Sequence, residues 1–590
     1  MSKNVSPPLI YAASLVLAAC SLLYELLIAQ TLATLAANTV VWYSVTIGVY
    51  LAAMGLGALL HDKYAAGNLW VRLFRVELGL SAVGAVAVPV LNFTHTFGLL
   101  LNGNDFTLMS NVVFFGSAFV LIALIGMLTG FELPLLIDLG NAAAGEKRVT
   151  NRVLAFDYMG SLLGGLAFPL LLLPSLGLIV IGLLTAGVNL MVALIALLWL
   201  LPKSRRPAFR LAASGSIACA ILVALFYAQP IERYFVKNYY FYYDHADDLA
   251  RLFGSLENVE NVFRARSPYQ RIDIVHDQVG YDTDVLIDTY SSKFVDNPAQ
   301  PRNYVLFLNG DLQVVSSYEE YYHEFFTHVP IANNGAAPRR VLVMGAGDGL
   351  LIRELAKYAG IESIVHVDLD GKLVELAKTH PVLMAMNEGA LDDPRVRTHI
   401  DDAYRYIRNT TDSFDAIYLD FPYVEDYNLS KLYSREFFHF VRQRLAPDGF
   451  VVFDAPKIEY DSNMREIYMN TVKAAGFEFV KPYVSTIEKN NRDAMAFLLN
   501  SGYKRTKARR LSIKFASVVQ NGFVILRKNL PTAPLYLDPR LQLHVLTEER
   551  LRMTLENTVP ALRYLDPDKV NSIFRPTLPN DDIWKIRSAW

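Results

Sequence analysis

The sequence predicts a multi-pass α-helical membrane domain, then a small antiparallel β domain, then a doubly wound α/β domain. Three observations carry this. Seven long apolar runs all begin before residue 229, short alternating runs start near Ser267, and beyond Pro338 strands rich in Val and Ile alternate regularly with helical segments. The expected domains are 1–228 (about seven transmembrane helices), 229–332 (juxtamembrane segment and small β domain), 333–503 (the α/β domain) and 504–590 (a basic, mainly helical extension).

The mean hydropathy of +0.25 and the 53% hydrophobic content come from the first part of the chain. Runs near Leu9–Leu35, Val40–Leu60, Val76–Leu101, Val112–Leu139, Val153–Pro174, Leu178–Leu201 and Leu211–Ala228 reach the roughly 20 residues a bilayer requires. The first lacks a cleavage-like end and carries Glu25, so it reads as an uncleaved anchor. Basic residues cluster in alternate loops: Lys63, Arg72 and Arg75, then Lys147, Arg148 and Arg152, then Lys203, Arg205, Arg206 and Arg210. By the positive-inside rule the N-terminus is cytoplasmic, and seven spans would leave everything after Ala228 outside. A cytoplasmic nucleoside substrate would argue for the opposite side.

Glu25, Glu132 and Asp157 fall within spans, where an ionised group is expensive. They read either as paired with polar neighbours or as a polar path for a cation. Both cysteines, Cys20 and Cys219, are in spans. The polar part therefore has neither a disulfide nor a cysteine metal site, and no metal-ligand cluster is evident. Residues 1–228 carry a formal charge of +3 and the remainder −5, which gives no nucleic-acid footprint.

KNYYFYYDH (237–245) suits an interfacial belt of tyrosines. QRIDIVH, DVLIDTY, NYVLFLNG and LQVVSS read as strands of the small sheet, and YEEYYHEFFTHVPI as a helix ending at an Asn-Asn-Gly turn. Then come VLVMGAG, a helix to Tyr358, SIVHVDLD, a helix to His380, VRTHIDD, a helix to Arg408, FDAIYLD, a helix from Ser434 to Leu445, and GFVVFDAP.

Gly345, Gly347 and Gly349 follow the first strand of that series, and Asp368 ends the next, where an acidic side chain can accept ribose hydroxyls. Asp402 and Asp420 end the following two. With Asp348 inside the glycine loop, four carboxylates face one crevice, because open parallel sheets bind ligands at the carboxyl ends of their strands. Any one of them could instead cap the helix after it. A crevice so negative disfavours a pyrophosphate and suits a nucleoside with a cationic tail, with Asp348 holding an ammonium.

The ordered series SPYQRIDIV, LFLNGDLQ, YEEYYHEFFTHVPI, VLVMGAGDG, VDLD, IDDAYRYI, FDAIYLD and LYSREFFHFVRQRLAPDGFVV resembles the polyamine aminopropyltransferases, the spermidine synthases, over roughly Ser267 to Asn500. The apolar part, with CSLLYELLIAQ and GFELPLLIDLG, looks like their membrane-anchored branch. The resemblance implies a Rossmann-like domain of the S-adenosylmethionine-dependent methyltransferase type. It also implies decarboxylated S-adenosylmethionine as co-substrate, no prosthetic group, a small amine acceptor such as putrescine, and a homodimer paired through the small sheet. It assigns Gln270 to the nucleoside, His323 to the polyamine side, Asp348 to the amine of the co-substrate and Asp368 to its ribose. Asp402 and Ala403 would flank the adenine, Asp420 would be the catalytic base, and Gly345, Gly347 and Gly349 would form the cofactor loop. Tyr321, Tyr322, Phe325 and Phe326 read as core, although one tyrosine could line an amine channel.

The chain departs from the family pattern at DFPYVEDY. Tyr423 stands in place of a second aspartate, with Glu425 and Asp426 displaced along the loop. Asn309 replaces the aspartate of LDG, and Asp454 takes a position where glutamine is common. Two other readings share these residues: an S-adenosylmethionine-dependent methyltransferase, and a polyamine- or nucleoside-binding transporter or sensor. Methyl transfer ranks lower, because Asp348 would repel the methionine carboxylate.

Overall fold

The computed structural model describes residues 7–36, 39–63, 67–103, 106–144, 148–201, 208–245, 262–276, 304–422, 424, 427–456, 458, 461–485, 491–505, 507–509, 511–512, 521–556, 566, 568–577 and 586. They fall into two units, Met1–Val259 with Asp582–Ser588, and Glu260–Asp581 with Ala589–Trp590.

In the first unit seven helices are long and apolar enough to cross a membrane. They are α1 (Pro7–Leu35), α2 (Thr39–Lys63), α3 (Leu69–Gly103), α4 (Thr107–Ala144), α5 (Arg148–Ala167, extended by a wider turn at Phe168–Leu172), α6 (Leu178–Ile195) and α7 (Ala208–Phe226). The aromatic stretch expected at the interface lies in an eighth helix, α8 (Ala228–His245). Glycines let backbones touch. A Cβ on Gly130 would sit 2.1 Å from the Met54 carbonyl oxygen, and one on Gly160 2.0 Å from that of Leu15. Helices α2 and α4, and α1 and α5, thus pack through small residues.

The second unit begins with a four-stranded antiparallel sheet: β1 (Val262–Arg266), β2 (Arg271–His276), β3 (Tyr304–Leu308) and β4 (Asp311–Val315). Strand β1 precedes the expected start of this sheet. Its Arg264 Nε donates to the buried Asp273 of β2 at 2.7 Å, so a charged side chain is accommodated by pairing across strands. The strand expected at DVLIDTY lies outside the described residues. Asn309 and Gly310 have φ of 55° and 92° and form the β3–β4 turn, for which Asn-Gly is the favoured dipeptide. Asn309 Oδ1 also accepts from the Arg271 N–H at 3.0 Å. The asparagine expected to mark a change at the acceptor is therefore a turn residue.

Helix α9 (Glu320–Asn334) ends at Gly335 with φ 78°. The main sheet follows, in the order β10-β11-β9-β8-β5-β6-β7. Its strands are β5 (Arg340–Gly345), β6 (Ser363–Asp368), β7 (Val396–Ile400), β8 (Phe414–Asp420), β9 (Leu445–Asp454), β10 (Phe479–Val484) and β11 (Gly522–Arg527). Strands β5 to β9 pair in parallel, and β10 and β11 join antiparallel.

Strand β11 corrects the expected domain boundary at 503 and the reading of 504–590 as mainly helical. All six of its residues are buried between β9 and β10, and among the described residues beyond it one helix of nine residues, Glu548–Glu556, is present. The same segment is fastened to α9. The buried Glu324 carboxylate accepts backbone N–H bonds from His544, Val545 and Leu546 at 2.5 to 2.8 Å. The small sheet is seated by Ile272, Ile274, Leu306 and Val314, which pack with Leu350, Leu373 and Met386 of the α/β region.

Candidate active site

The site is built at the carboxyl ends of β8, β5 and β6. Val341 to Met344 are fully buried and set the register that places Gly345 opposite Asp420 of β8. The loop after β5 must then pass very close to its neighbours. Gly345 has φ 86°, and a Cβ there would lie 1.8 Å from the Asp420 carbonyl oxygen; at Gly347 it would lie 2.8 Å from Asp368 Oδ2. Ala346 adopts φ 60° without being glycine, a conformation that costs energy and is found where a site fixes it. Gly349 (φ 83°) begins α10 (Leu350–Ala356). Asp348 closes a short turn by accepting the Leu350 N–H at 2.9 Å, while Asn387 Nδ2 holds its carbonyl at 2.8 Å.

Three carboxyls thereby share one crevice. Burial raises Asp420 to about 6, with the Asp348 charge adding to it, while the Tyr322 hydrogen bond and the His323 charge pull the other way. Burial raises Asp368 to about 7, helped by Asp370, Asp348 and Asp420. Asp348 is also raised, by burial first. The common remedy for all three is a cation in the crevice.

Asp402 behaves differently. It caps α12 (Ala403–Asn409), accepting the Arg405 N–H at 2.9 Å, and pairs with Lys431 Nζ at 2.6 Å. Burial opposes its ionisation, but Lys431 and the helix N–H groups hold it below the usual carboxylate range. The capping alternative thus describes Asp402, whose charge is already compensated. Ala403 opens that helix and packs on the main core.

Gln270 donates through Nε2 to Asp370 Oδ2 at 2.8 Å, beside a Ser267 hydroxyl bond to the same oxygen at 2.8 Å. Asp370 also caps α11 (Gly371–Thr379), and its own N–H donates to Asp368 Oδ1 at 2.7 Å. Asp370 therefore joins the small sheet to Asp368 in the crevice. It was not among the expected residues, although VDLD places it one residue after Leu369 at a helix start.

On the other side, Tyr322 Oη donates to Asp420 Oδ1 at 2.7 Å. Of the four aromatics read as core, Tyr321, Phe325 and Phe326 are fully buried, and Tyr322 is the one that reaches the site. His323 is buried with Nδ1 against Glu319 Oε2 at 2.7 Å. Burial disfavours its imidazolium, but the Glu319 carboxylate outweighs this and raises it. Arg353 donates to Glu319 Oε1 at 2.6 Å and to Glu354 Oε1 at 2.9 Å, and Glu354 Oε2 meets His328 Nε2 at 2.8 Å. Although burial opposes it, Arg353 and His323 hold Glu319 down to about 2. Glu319 and Arg353 were missed; the i,i+4 spacing of Glu319 and His323 was the available signal. Gln313, Tyr318, Glu319, Tyr322, His323 and Asn521 line a small pocket beside Asp420. Asp454 ends β9 one strand from Asp420, and its charge bears on Tyr322. Tyr423, Glu425 and Asp426 lie outside the described residues. Among the described residues no group of three or more His, Cys, Asp or Glu could hold a metal ion.

Residues 319–509 match the spermine/spermidine synthase domain family. The polyamine aminopropyltransferase of Leptospira interrogans is 30% identical over 436 residues, covering 74% of this chain and 76% of that protein. That of Mycobacterium tuberculosis is 33% identical over 479 residues, covering 79% and 80%, and polyamine aminopropyltransferase 1 of Streptomyces coelicolor is 31% identical, covering 78% of each. Among solved structures, a spermidine synthase in complex with the transition-state analogue AdoDATO is 20% identical with a TM-score of 0.38, covering 50% of this chain and 85% of that one.

Proposed function

The chain belongs to the polyamine aminopropyltransferase family and is a transferase, and from that premise we propose that it moves the aminopropyl group of decarboxylated S-adenosylmethionine to a diamine of the putrescine type. The observation that carries this reading is the contact of Tyr322 with Asp420, at the mouth of a crevice that also holds Asp348 and Asp368. Asp368 with Gln270 and Asp370 would receive the ribose, Asp402 and Ala403 would flank the adenine, and Asp348 would hold the propylammonium.

The acceptor enters as an ammonium and cannot attack until it loses a proton. Asp420, oriented by Tyr322, accepts that proton. The nitrogen lone pair then attacks the carbon bonded to the sulfonium, a C–N bond forms, and the C–S bond breaks with its electrons going to sulfur. Neutral methylthioadenosine leaves. Alignment of amine and sulfonium in the crevice supplies the rest of the acceleration. The Asp348 carboxylate would repel the carboxylate of intact S-adenosylmethionine, which argues against methyl transfer from the same site. The seven apolar helices support anchoring in a bilayer. A homodimer paired through β1–β4 belongs to the same reading and is checked by the mass of the detergent-solubilised protein.

Incubating the full chain with decarboxylated S-adenosylmethionine and a panel of mono-, di- and triamines, and weighing the amine products, tests the reading. A diamine gaining one aminopropyl group is the expected product. Methylated amines formed from S-adenosylmethionine instead would replace it with the methyltransferase reading.

A further inference from the structure

The first unit, read as spanning a membrane, carries a polar cluster at which its helices converge. Glu77 of α3 is fully buried, and its Oε2 accepts from Asn189 Nδ2 of α6 at 2.7 Å. Asn189 is held in turn by Tyr24 of α1, whose hydroxyl lies 3.3 Å from Asn189 Oδ1 and 3.4 Å from the Leu80 carbonyl oxygen. The carboxyl of Glu132 in α4, 5% exposed, is within hydrogen-bonding reach of that of Glu77. Oε1 of Glu77 and Oε1 of Glu132 are met by no donor. The other titratable groups around the pair are Cys20 and Tyr24 of α1, Tyr50 of α2 and Asp157 of α5, with Glu25 facing Tyr50. Among the described residues no lysine or arginine bonds to either glutamate.

Ser81 adds a second observation. It is fully buried, and its hydroxyl has no partner. Thr31, Thr96 and Thr185 fold back on the carbonyl four residues earlier at 2.7 to 3.0 Å; Ser81 does not, nor do Thr46 and Ser214, which lie on other helices. Ser81 stands one turn beyond Glu77 and one turn before Gly84, where a Cβ would strike the Tyr24 ring at 2.3 Å, so it shares the face of α3 that bears the cluster.

Two carboxyls this close inside an apolar bundle, with no lysine or arginine bonded to either among the described residues, repel each other unless one of them is protonated. Oε2 of Glu77 already accepts the Asn189 amide at 2.7 Å, so the proton is placed on the Glu132 carboxyl. We propose that Glu77 and Glu132 form a proton-binding site in which one exchangeable proton is carried on Glu132, with the Ser81 hydroxyl as its adjoining relay.

Infrared difference spectroscopy on the full chain in lipid nanodiscs, labelled with ¹³C-glutamate, tests this. A protonated-glutamate carbonyl band that shifts in D₂O is expected in the wild type. It should be lost in Glu132→Gln, retained but shifted in Glu77→Gln, and slower to exchange in Ser81→Ala. A band unchanged in Glu132→Gln, or no protonated glutamate, overturns the proposal. Should Glu132→Gln fail to assemble, Asn189→Leu reads the same band: loss of the donor to Glu77 must shift it, and an unchanged spectrum overturns the proposal. Aminopropyl transfer plays no part in this readout, so either proposal can fail alone.

Discussion

With Asp420 as the proposed base, Asp420 and Tyr322 would set the pH response of the proposed transfer. A base must be ionised to accept a proton, so kcat/KM should fall as pH drops through the Asp420 value of about 6. The Tyr322 hydrogen bond helps hold that value down, so Tyr322→Phe should move the acid limb to higher pH, read from a pH profile of kcat/KM. Asp348 offers a second test at this scale. Losing a hydrogen bond between charged groups costs about 1.5 to 3 kcal/mol, so Asp348→Asn should weaken binding of decarboxylated S-adenosylmethionine roughly 10- to 150-fold. Methylthioadenosine, which lacks the ammonium, should bind the variant as before; equal losses for both ligands would mean that Asp348 shapes the loop rather than holding the amine. The strand-end aspartates could be read from sequence because each closes a Val/Ile-rich run. Tyr322 could not, because YYHEFF offers four aromatics and only the tilt of α9 selects the one that meets Asp420. Asp402 was expected to face the crevice with the other three, but it caps the helix after β7 and pairs with Lys431, 29 positions away, which no local pattern connects to it.

Among the elements, the loop after β5 is the tightest joint. Gly345→Ala would drive a methyl group into the Asp420 carbonyl oxygen, so the expected outcome is loss of activity together with a lower melting temperature. In the apolar bundle, Gly130→Leu should separate α2 from α4 and appear as a mobile, protease-sensitive first unit. The β5-to-β9 series was legible because each strand is followed by a helix and all but β7 end in an acidic or glycine residue. Strand β11 was not: it follows a basic stretch, is distant in sequence from β9, and is recognised as a strand only by being buried on both sides. Strand β1 was obscured by its arginines, of which Arg264 pairs with the buried Asp273.

For the whole molecule, the buried Glu319–Arg353–Glu354 network and the crevice carboxyls pull stability in opposite directions. Arg353→Met would remove the guanidinium shared by two buried carboxylates, leaving Glu319 to His323 and Glu354 to His328 and Lys357, at a cost of up to roughly 3 to 5 kcal/mol and on the order of ten degrees in the melting temperature of the second unit. Glu319 is held at about 2 against a usual 4.5, so its contribution is present above the latter value and fades as pH falls toward the former. Asp420 and Asp368, raised from 3.8 to about 6 and about 7, bind protons on folding. Their ionisation therefore lowers stability as pH climbs through that interval. A cationic nucleoside should consequently raise the melting temperature more at about pH 8 than at about pH 5, which calorimetry with decarboxylated S-adenosylmethionine would show. The central claim is tested most directly by methylthioadenosine release from decarboxylated S-adenosylmethionine in the presence of a diamine, compared between the wild type and Asp420→Asn. Amine-dependent release that falls by roughly 10² to 10⁴ in the variant is predicted, and no release from the wild type, or equal release from both, would contradict it.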